Sequence, residues 1–216
     1  MECPYCKGTG FVEKDGVLEL CSCRFEGADL QRLLNIPPRY IKEDFETYNP
    51  ITPSQAVAKK ACLAFAMSFD PKEGKGLTLV GPSDMGKTHL AVAILKTVYR
   101  TKRIRGLFFD TKDLLFRLQS SAVEGERYEK LMRAVLKVDL LVLDDLGNER
   151  LSEWRIETLS YIITHRYNYL KSTIITTNYP LRRTSSSTVG ESLEERLSPS
   201  IVSKICQMGE VITLSP

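Results

Sequence analysis

Leu77-Thr78-Leu79-Val80-Gly81-Pro82-Ser83-Asp84-Met85-Gly86-Lys87-Thr88 decides how this chain is read. Four apolar or β-favouring residues run into a glycine-bounded turn, and from Thr88 apolar residues recur at helical spacing to about Arg100. The spacing G-x-x-x-x-G-K-[ST] is that of a phosphate-binding loop. Its first glycine makes the turn and its second lets the backbone approach a ligand closely. Successive N–H groups at the start of the helix then cradle phosphates. The candidate nucleotide-binding positions are Gly81, Pro82, Ser83, Asp84, Met85, Gly86, Lys87, Thr88 and His89. Lys87 supplies charge at the β- and γ-phosphates, and the Thr88 hydroxyl is placed for Mg²⁺. A chance match in a glycine-containing turn is the competing reading. The position between a strand and a helix argues against it.

Working outward, Leu140-Leu141-Val142-Leu143 is a continuous apolar run that ends in Asp144-Asp145. Such a run suits a central parallel strand, whose C-terminal end faces the nucleotide crevice. Asp144 is expected to hold Mg²⁺ through its water shell, and Asp145 to polarise the attacking water. A strand-ending pair of helix caps is the plainer alternative. Further strands are predicted at Gly106–Phe109, Ser172–Thr177 and Val211–Leu214, with Asn178 closing the second of these as a water-orienting polar group. Helices are predicted over Ser54–Phe69, with Ser54 as N-cap, and over Lys112–Ser121, Tyr128–Val138 and Ser152–Leu170. The alternation implies an α/β fold with a parallel sheet flanked by helices and right-handed crossovers.

The first 35 residues read differently. Cys3, Cys6, Cys21 and Cys23 form a Cys-x-x-Cys and a Cys-x-Cys pair around Phe11-Val12, the turn signal Asp15-Gly16 and Val17–Leu20. Four thiolates brought together by a hairpin suit structural Zn²⁺, which would stabilise a segment too short for its own core. A redox pair or metal-free thiols are the alternatives, and no iron–sulfur spacing fits. Cys62 and Cys206 stand alone in apolar surroundings and read as buried small residues. Pro37-Pro38 through Pro53 reads as a linker, which divides the chain into a cysteine-rich segment 1–35, a linker 36–53 and an ATPase domain 54–216. Thr184-Ser185-Ser186-Ser187-Thr188 reads as a loop.

The composition of the 216 residues, 43% hydrophobic and 26% charged, excludes collagen-like and wholly disordered chains. A net charge of +3 is too mild to diagnose nucleic-acid binding by itself. No apolar run approaches the roughly 18 residues of a membrane span, and Met1 to Gly10 is not a signal peptide. The expectation is a cytoplasmic protein with no membrane partner.

Gly-Pro-x-x-x-Gly-Lys-Thr-His-Leu-Ala (Gly81 to Ala91) resembles the phosphate loop of the DnaC/DnaI helicase loaders and the IstB transposition helpers, which are AAA+ ATPases. The resemblance extends through Leu-Val-Leu-Asp-Asp-Leu-Gly (Leu141 to Gly147) with Glu149, the Arg166-Tyr167 pair and Thr173 to Asn178, and covers roughly Ile36 to Leu214. It implies that Lys87 and Thr88 bind ATP or ADP with Mg²⁺, that Asp144 and Asp145 form the Walker B site, and that Asn178 is the first sensor. It also implies an arginine that reaches a neighbouring subunit's ATP. Arg196 is the first choice for that role and Lys204 a weaker one, since a lysine lacks the bidentate fork; Ser200 stands where a further arginine is expected. An Asp in place of Glu at position 145 has a shorter reach, and Asp84 puts an acid beside the phosphates. No stretch for a full C-terminal lid follows Leu214 in this sequence.

By the same resemblance, the partners are a hexameric DnaB-type replicative helicase, single-stranded DNA inside an open spiral of subunits and, as a further candidate, the replication initiator. Arg100, Lys102, Arg103, Arg105, Lys112 and Arg117 are the basic candidates for DNA; a solvated helix end and face is the plainer reading of them. Trp154 reads as core or interface rather than as a base-stacking platform. An IstB-like transposition helper and an adaptor with negligible hydrolysis are the alternative functions.

Overall fold

The computed structural model describes residues 7, 11–14, 17–20, 28–148, 150–183 and 190–216. A hairpin of β1 (Phe11–Lys14) and β2 (Val17–Leu20) is followed by α1 (Ala28–Leu34), a 3₁₀ turn at Pro38–Tyr40 and α2 (Pro53–Ser68). Then come β3 (Gly76–Val80), α3 (Lys87–Lys102), β4 (Gly106–Asp110), α4 (Thr111–Ser121), α5 (Gly125–Lys137) and β5 (Leu140–Asp144). The chain continues with α6 (Glu153–Asn168), β6 (Ser172–Thr177), α7 (Leu193–Arg196), α8 (Pro199–Met208) and β7 (Gly209–Thr213).

The sheet runs in the order β4-β5-β6-β3-β7, parallel throughout. Its apolar strands alternate between two cores. Leu140 and Val142 face α2, α3 and the N-terminal segment, whereas Leu141 and Leu143 face α4, α5, α6 and α8. Burial on both faces is why these strands read as unbroken apolar runs. Asp110 lies opposite Asp144, and Val80 opposite Thr177, so the strand ends converge on one crevice where the connection order reverses.

The α/β expectation holds, with corrections at the edges. Ser54 is not the N-cap of α2. Thr52 is, because Gln55 completes a reciprocal capping box with it and Pro53 occupies the first helical position. The Ser54 hydroxyl instead donates to the Ser215 carbonyl at 2.6 Å. Helices α1, α7 and α8 add to the predicted set. Cys62 is fully buried, Cys206 half-buried, and Trp154 packs against the second core.

The stretch 36–53, expected as a linker, is packed onto the first core. Ile36, Phe45 and Tyr48 are buried there, as are Leu30 and Leu34 of α1. The Asp44 carboxylate takes a hydrogen bond from Arg100 of α3 and lies 3.5 Å from the buried Lys96 ammonium. Lys96 in turn donates to the carbonyls of Ile41 and Glu43 at 2.8 and 2.7 Å. Cys3, Cys6, Cys21 and Cys23, and the serine-rich stretch 184–188, lie outside the described residues. The hairpin expected between the cysteine pairs is present, with Phe11 opposite Leu20. No helix among the described residues is long and apolar enough to cross a membrane.

Candidate nucleotide site

The loop 81–86 carries β3 into α3 through two left-handed residues, Asp84 (φ 63°) and Gly86 (φ 79°). Gly86 cannot be replaced cheaply: a Cβ there would lie 2.5 Å from the Tyr48 ring. Tyr48 holds the loop from outside, its hydroxyl donating to the Met85 carbonyl at 3.0 Å. Gln55 donates to the same carbonyl at 3.3 Å. The loop is therefore braced by the N-terminal segment as well as by the sheet.

Lys87, the first residue of α3, is buried and donates to the carbonyls of Gly81 and Pro82 at 2.8 and 2.6 Å. Burial pulls its ammonium below the ordinary value, against the opposing pull of Asp145, Asp144 and Asp84. Thr88 donates to both carboxylate oxygens of Asp144, at 2.9 and 3.1 Å. Thr176 of β6 donates to Asp144 at 2.6 Å and accepts from the Asp145 amide at 2.8 Å, tying β5 to β6 at the crevice. Burial pushes the Asp144 carboxyl up to about 6 despite the hydrogen bonds from Thr176 and Thr88.

Asp145 has a left-handed backbone (φ 58°), a conformation that Asp tolerates better than most residues. Its carboxylate accepts from Asn178 at 3.2 Å and from Asn148 at 2.9 and 2.7 Å. Asp144, Asp145, Asn178 and Thr88 thus meet in one cavity of about 550 Å³. Of the positions expected in the loop, Ser83, Asp84, Gly86, Lys87, Thr88 and His89 line it. Gly81, Pro82 and Met85 are not among the lining residues and face Lys87, Tyr48 and Gln55 through their carbonyls.

His89 turns both ring nitrogens to the N-terminal segment. Nδ1 faces the Glu43 carboxylate, and Nε2 lies 2.7 Å from the Asp44 carbonyl and 3.2 Å from the Thr47 hydroxyl. Arg196 does not line the cavity. Its Nε donates to the Gly147 carbonyl at 2.7 Å, its guanidinium pairs with Glu191, and it lies 4.6 Å over the Tyr179 ring. Lys204 donates to Ser200 at 2.8 Å. Of the basic candidates for DNA, Arg100 is committed to Asp44, Arg105 reaches the Leu33 carbonyl and Arg117 pairs with Asp113 on its own helix.

Six lining residues escaped the sequence reading: Arg39, Tyr40, Glu43, Asp110, Asn148 and Thr176. Thr176 sits in the quoted Thr173–Asn178 run, and Asn148 lies three residues beyond Asp145, so both were within reach of the motifs. Arg39 and Tyr40 follow Pro37-Pro38, a rigid-turn signal that the linker reading absorbed.

The residues present fit a nucleoside triphosphate with Mg²⁺. A buried carboxylate beside a hydroxyl supplies hard oxygen donors, few enough to leave the metal's remaining positions to water and phosphate. The left-handed turn at Asp84 and Gly86 opens toward a helix N-terminus that suits phosphate. The fold and this arrangement define a P-loop nucleotide-binding domain of the AAA+ type. The family model of the IstB-like ATP binding proteins matches residues 26–214, and the chain belongs to that family.

Among solved structures, a DnaC helicase loader is 51% identical, with a TM-score of 0.75 over 83% of this chain and all of that one. The IS5376 putative ATP-binding protein of Geobacillus stearothermophilus is 27% identical over 75% of this chain and 59% of its own length. The replicative helicase loader DnaI of Bacillus subtilis is 25% identical over 65% of this chain and 47% of its own. The chain thus spans roughly half the length of these curated relatives.

Proposed function

We propose that this protein is an ATP-hydrolysing loader that binds a DnaB-type replicative helicase and delivers it onto single-stranded DNA. The observation that carries the reading is the 51% identity over the whole length of the solved DnaC helicase loader. In the working site Lys87 leaves the Gly81 and Pro82 carbonyls for the β- and γ-phosphates of ATP. Thr88 and Asp144, the latter through its water shell, would hold Mg²⁺, which would supply charge neutralisation on the phosphates. Asp145 accepts a proton from the water whose oxygen bonds the γ-phosphorus in line while the bond from that phosphorus to the β–γ bridging oxygen breaks and ADP leaves, and Asn178 holds that carboxylate and the water in register. The short reach of Asp145 suits a slow engine that needs a partner to complete it. Arg196 completes a neighbour's site in an open spiral once it leaves Glu191 and Gly147, with Lys204 the weaker candidate.

Cys3, Cys6, Cys21 and Cys23 hold zinc in this reading, and the hairpin segment they belong to grips the helicase. Arg100, Lys102, Arg103, Arg105, Lys112 and Arg117 are the basic candidates for DNA, and the initiator is a further candidate partner. The test is a pull-down of purified replicative helicase with the full chain and with a chain starting at Ala28, in ATP and in ADP. The truncation stops there because α1 and residues 36–48 belong to the core. Binding that depends on the removed segment supports the loader. Absence of binding in both nucleotides favours the second reading, a helper for a transposase, which the insertion-sequence relatives support. Metal analysis of freshly reduced protein that finds no zinc removes the ribbon.

A further inference from the structure

Arg39 lies outside every motif of the phosphate site, yet it lines the cavity together with Lys87, Thr88, Asp144 and Asn178. We propose that Arg39 reads the terminal phosphate of the bound nucleotide from within its own chain, so that triphosphate and diphosphate load the N-terminal segment differently. The inference rests on the nucleotide reading above and assigns a further residue to it.

Position comes first. Tyr40, the next residue, packs its ring 6.0 Å from Phe108 on β4, two residues short of Asp110. Asp110 is registered against Asp144, and both line the cavity with Tyr40. The turn that carries Arg39 therefore overlies the carboxylate end of the site, where Mg²⁺ and the γ-phosphate belong, and not the far end of the cavity. In keeping with this, the Tyr40 hydroxyl is pushed up by burial and by the nearby charge of Asp144.

Charge comes second. The lining holds five carboxylates, Glu43, Asp84, Asp110, Asp144 and Asp145, against a lysine and an arginine, Lys87 and Arg39. Arg39 has no ion pair among the described residues, and its side chain is exposed at the cavity rim. A planar guanidinium offers phosphate a two-point hydrogen-bonded contact that a lysine cannot reproduce.

Mounting comes third. Pro38 starts the 3₁₀ turn, and the Tyr40 amide closes it on the Pro37 carbonyl at 2.9 Å. Lys96 pins the following carbonyls of Ile41 and Glu43, and His89, adjacent to Thr88 in the chain, meets the Glu43 side chain. A pull on Arg39 by the γ-phosphate is thus delivered to a stiff turn that follows α1 by three residues.

The experiment measures equilibrium affinity for ADP and for a non-hydrolysable ATP analogue, each with Mg²⁺, in the wild type, Arg39→Ala and Arg39→Gln. Both variants are expected to lose roughly tenfold or more for the triphosphate analogue and less than about twofold for ADP, with unchanged melting temperatures. Two variants are used so that a folding defect in one leaves the other as the comparison. Equal losses for both nucleotides, or no loss for either, overturn the assignment while leaving the nucleotide reading intact. A wild-type chain that binds neither nucleotide overturns that reading, and the assignment with it.

Discussion

At the residue scale the cost of the site is concentrated in Asp144. Its carboxyl is raised from 3.8 to about 6 because it is buried, so the folded state holds its proton over a pH range in which the unfolded chain has released it. Well below pH 3.8 both states are protonated and the residue costs nothing. Between about pH 4 and 6 the unfolded chain releases the proton that the folded state keeps, so stability falls by about 3 kcal/mol over that range, and above it the folded state carries the buried anion at a constant cost. Asp144→Asn is therefore expected to abolish hydrolysis and yet raise the stability of the nucleotide-free protein by about that amount at pH 7.5. Urea unfolding at pH 7.5 and at pH 4.5 checks this; the gain should shrink at the lower pH, and an equal gain at both contradicts it. The carboxylate pair was legible because 144 and 145 close an apolar run, and the loop because its residues are contiguous. Thr176 was not, because its bridge between Asp144 and the Asp145 amide exists only once β6 lies beside β5.

At the element scale, the buried Arg166 explains how α6 is fixed. Its guanidinium donates to the carbonyls of Val135 and Val138 at the end of α5 at 2.7 and 3.0 Å, and to the Thr173 hydroxyl at 2.9 Å at the start of β6. Burial lowers it to about 9, and the carbonyls at a helix C-terminus are the partners that keep it charged. Arg166→Ala is expected to cost about 3–5 kcal/mol, since it opens a cavity and strips several buried carbonyls of their donor. Arg166→Lys recovers only part, because one ammonium cannot span these acceptors. Denaturant midpoints of the two variants decide it, and a loss under about 1 kcal/mol for the alanine variant contradicts the account. The central strands were legible from apolar runs of strand length. Helices α7 and α8 were not: Ser198-Pro199 breaks the pattern between them, and neither presents a long stripe. Helix α1 is short and takes its apolar partners from α3 and β4, which no local window contains.

At the scale of the whole molecule, the N-terminal segment is part of the nucleotide site rather than a tether to it. Prolines and charges gave 36–53 the look of a linker. The same charges face α3, where Asp44 meets Arg100 and Lys96 and Glu43 meets His89. Burial alone would raise the Asp44 carboxyl; the hydrogen bond from Arg100 and the charges of Arg100 and Lys96 hold it below the ordinary value. Asp44→Ala leaves the Lys96 ammonium buried with only carbonyl partners, and is expected to cost about 3 kcal/mol and to weaken nucleotide binding as well. Thermal melting with and without ATP and Mg²⁺ separates the two effects: a variant that melts lower but gains as much from nucleotide as the wild type contradicts the coupling.

The central proposal is that this crevice, an ATP site, is an engine that works with helicase and DNA. Phosphate release by the full chain, alone and with helicase and single-stranded DNA, tests it most directly, with Lys87→Ala alongside. The account predicts slow turnover alone, stimulation by the partners, and loss of the stimulated rate in Lys87→Ala. Turnover that no partner raises, or a stimulated rate that survives Lys87→Ala, would contradict it.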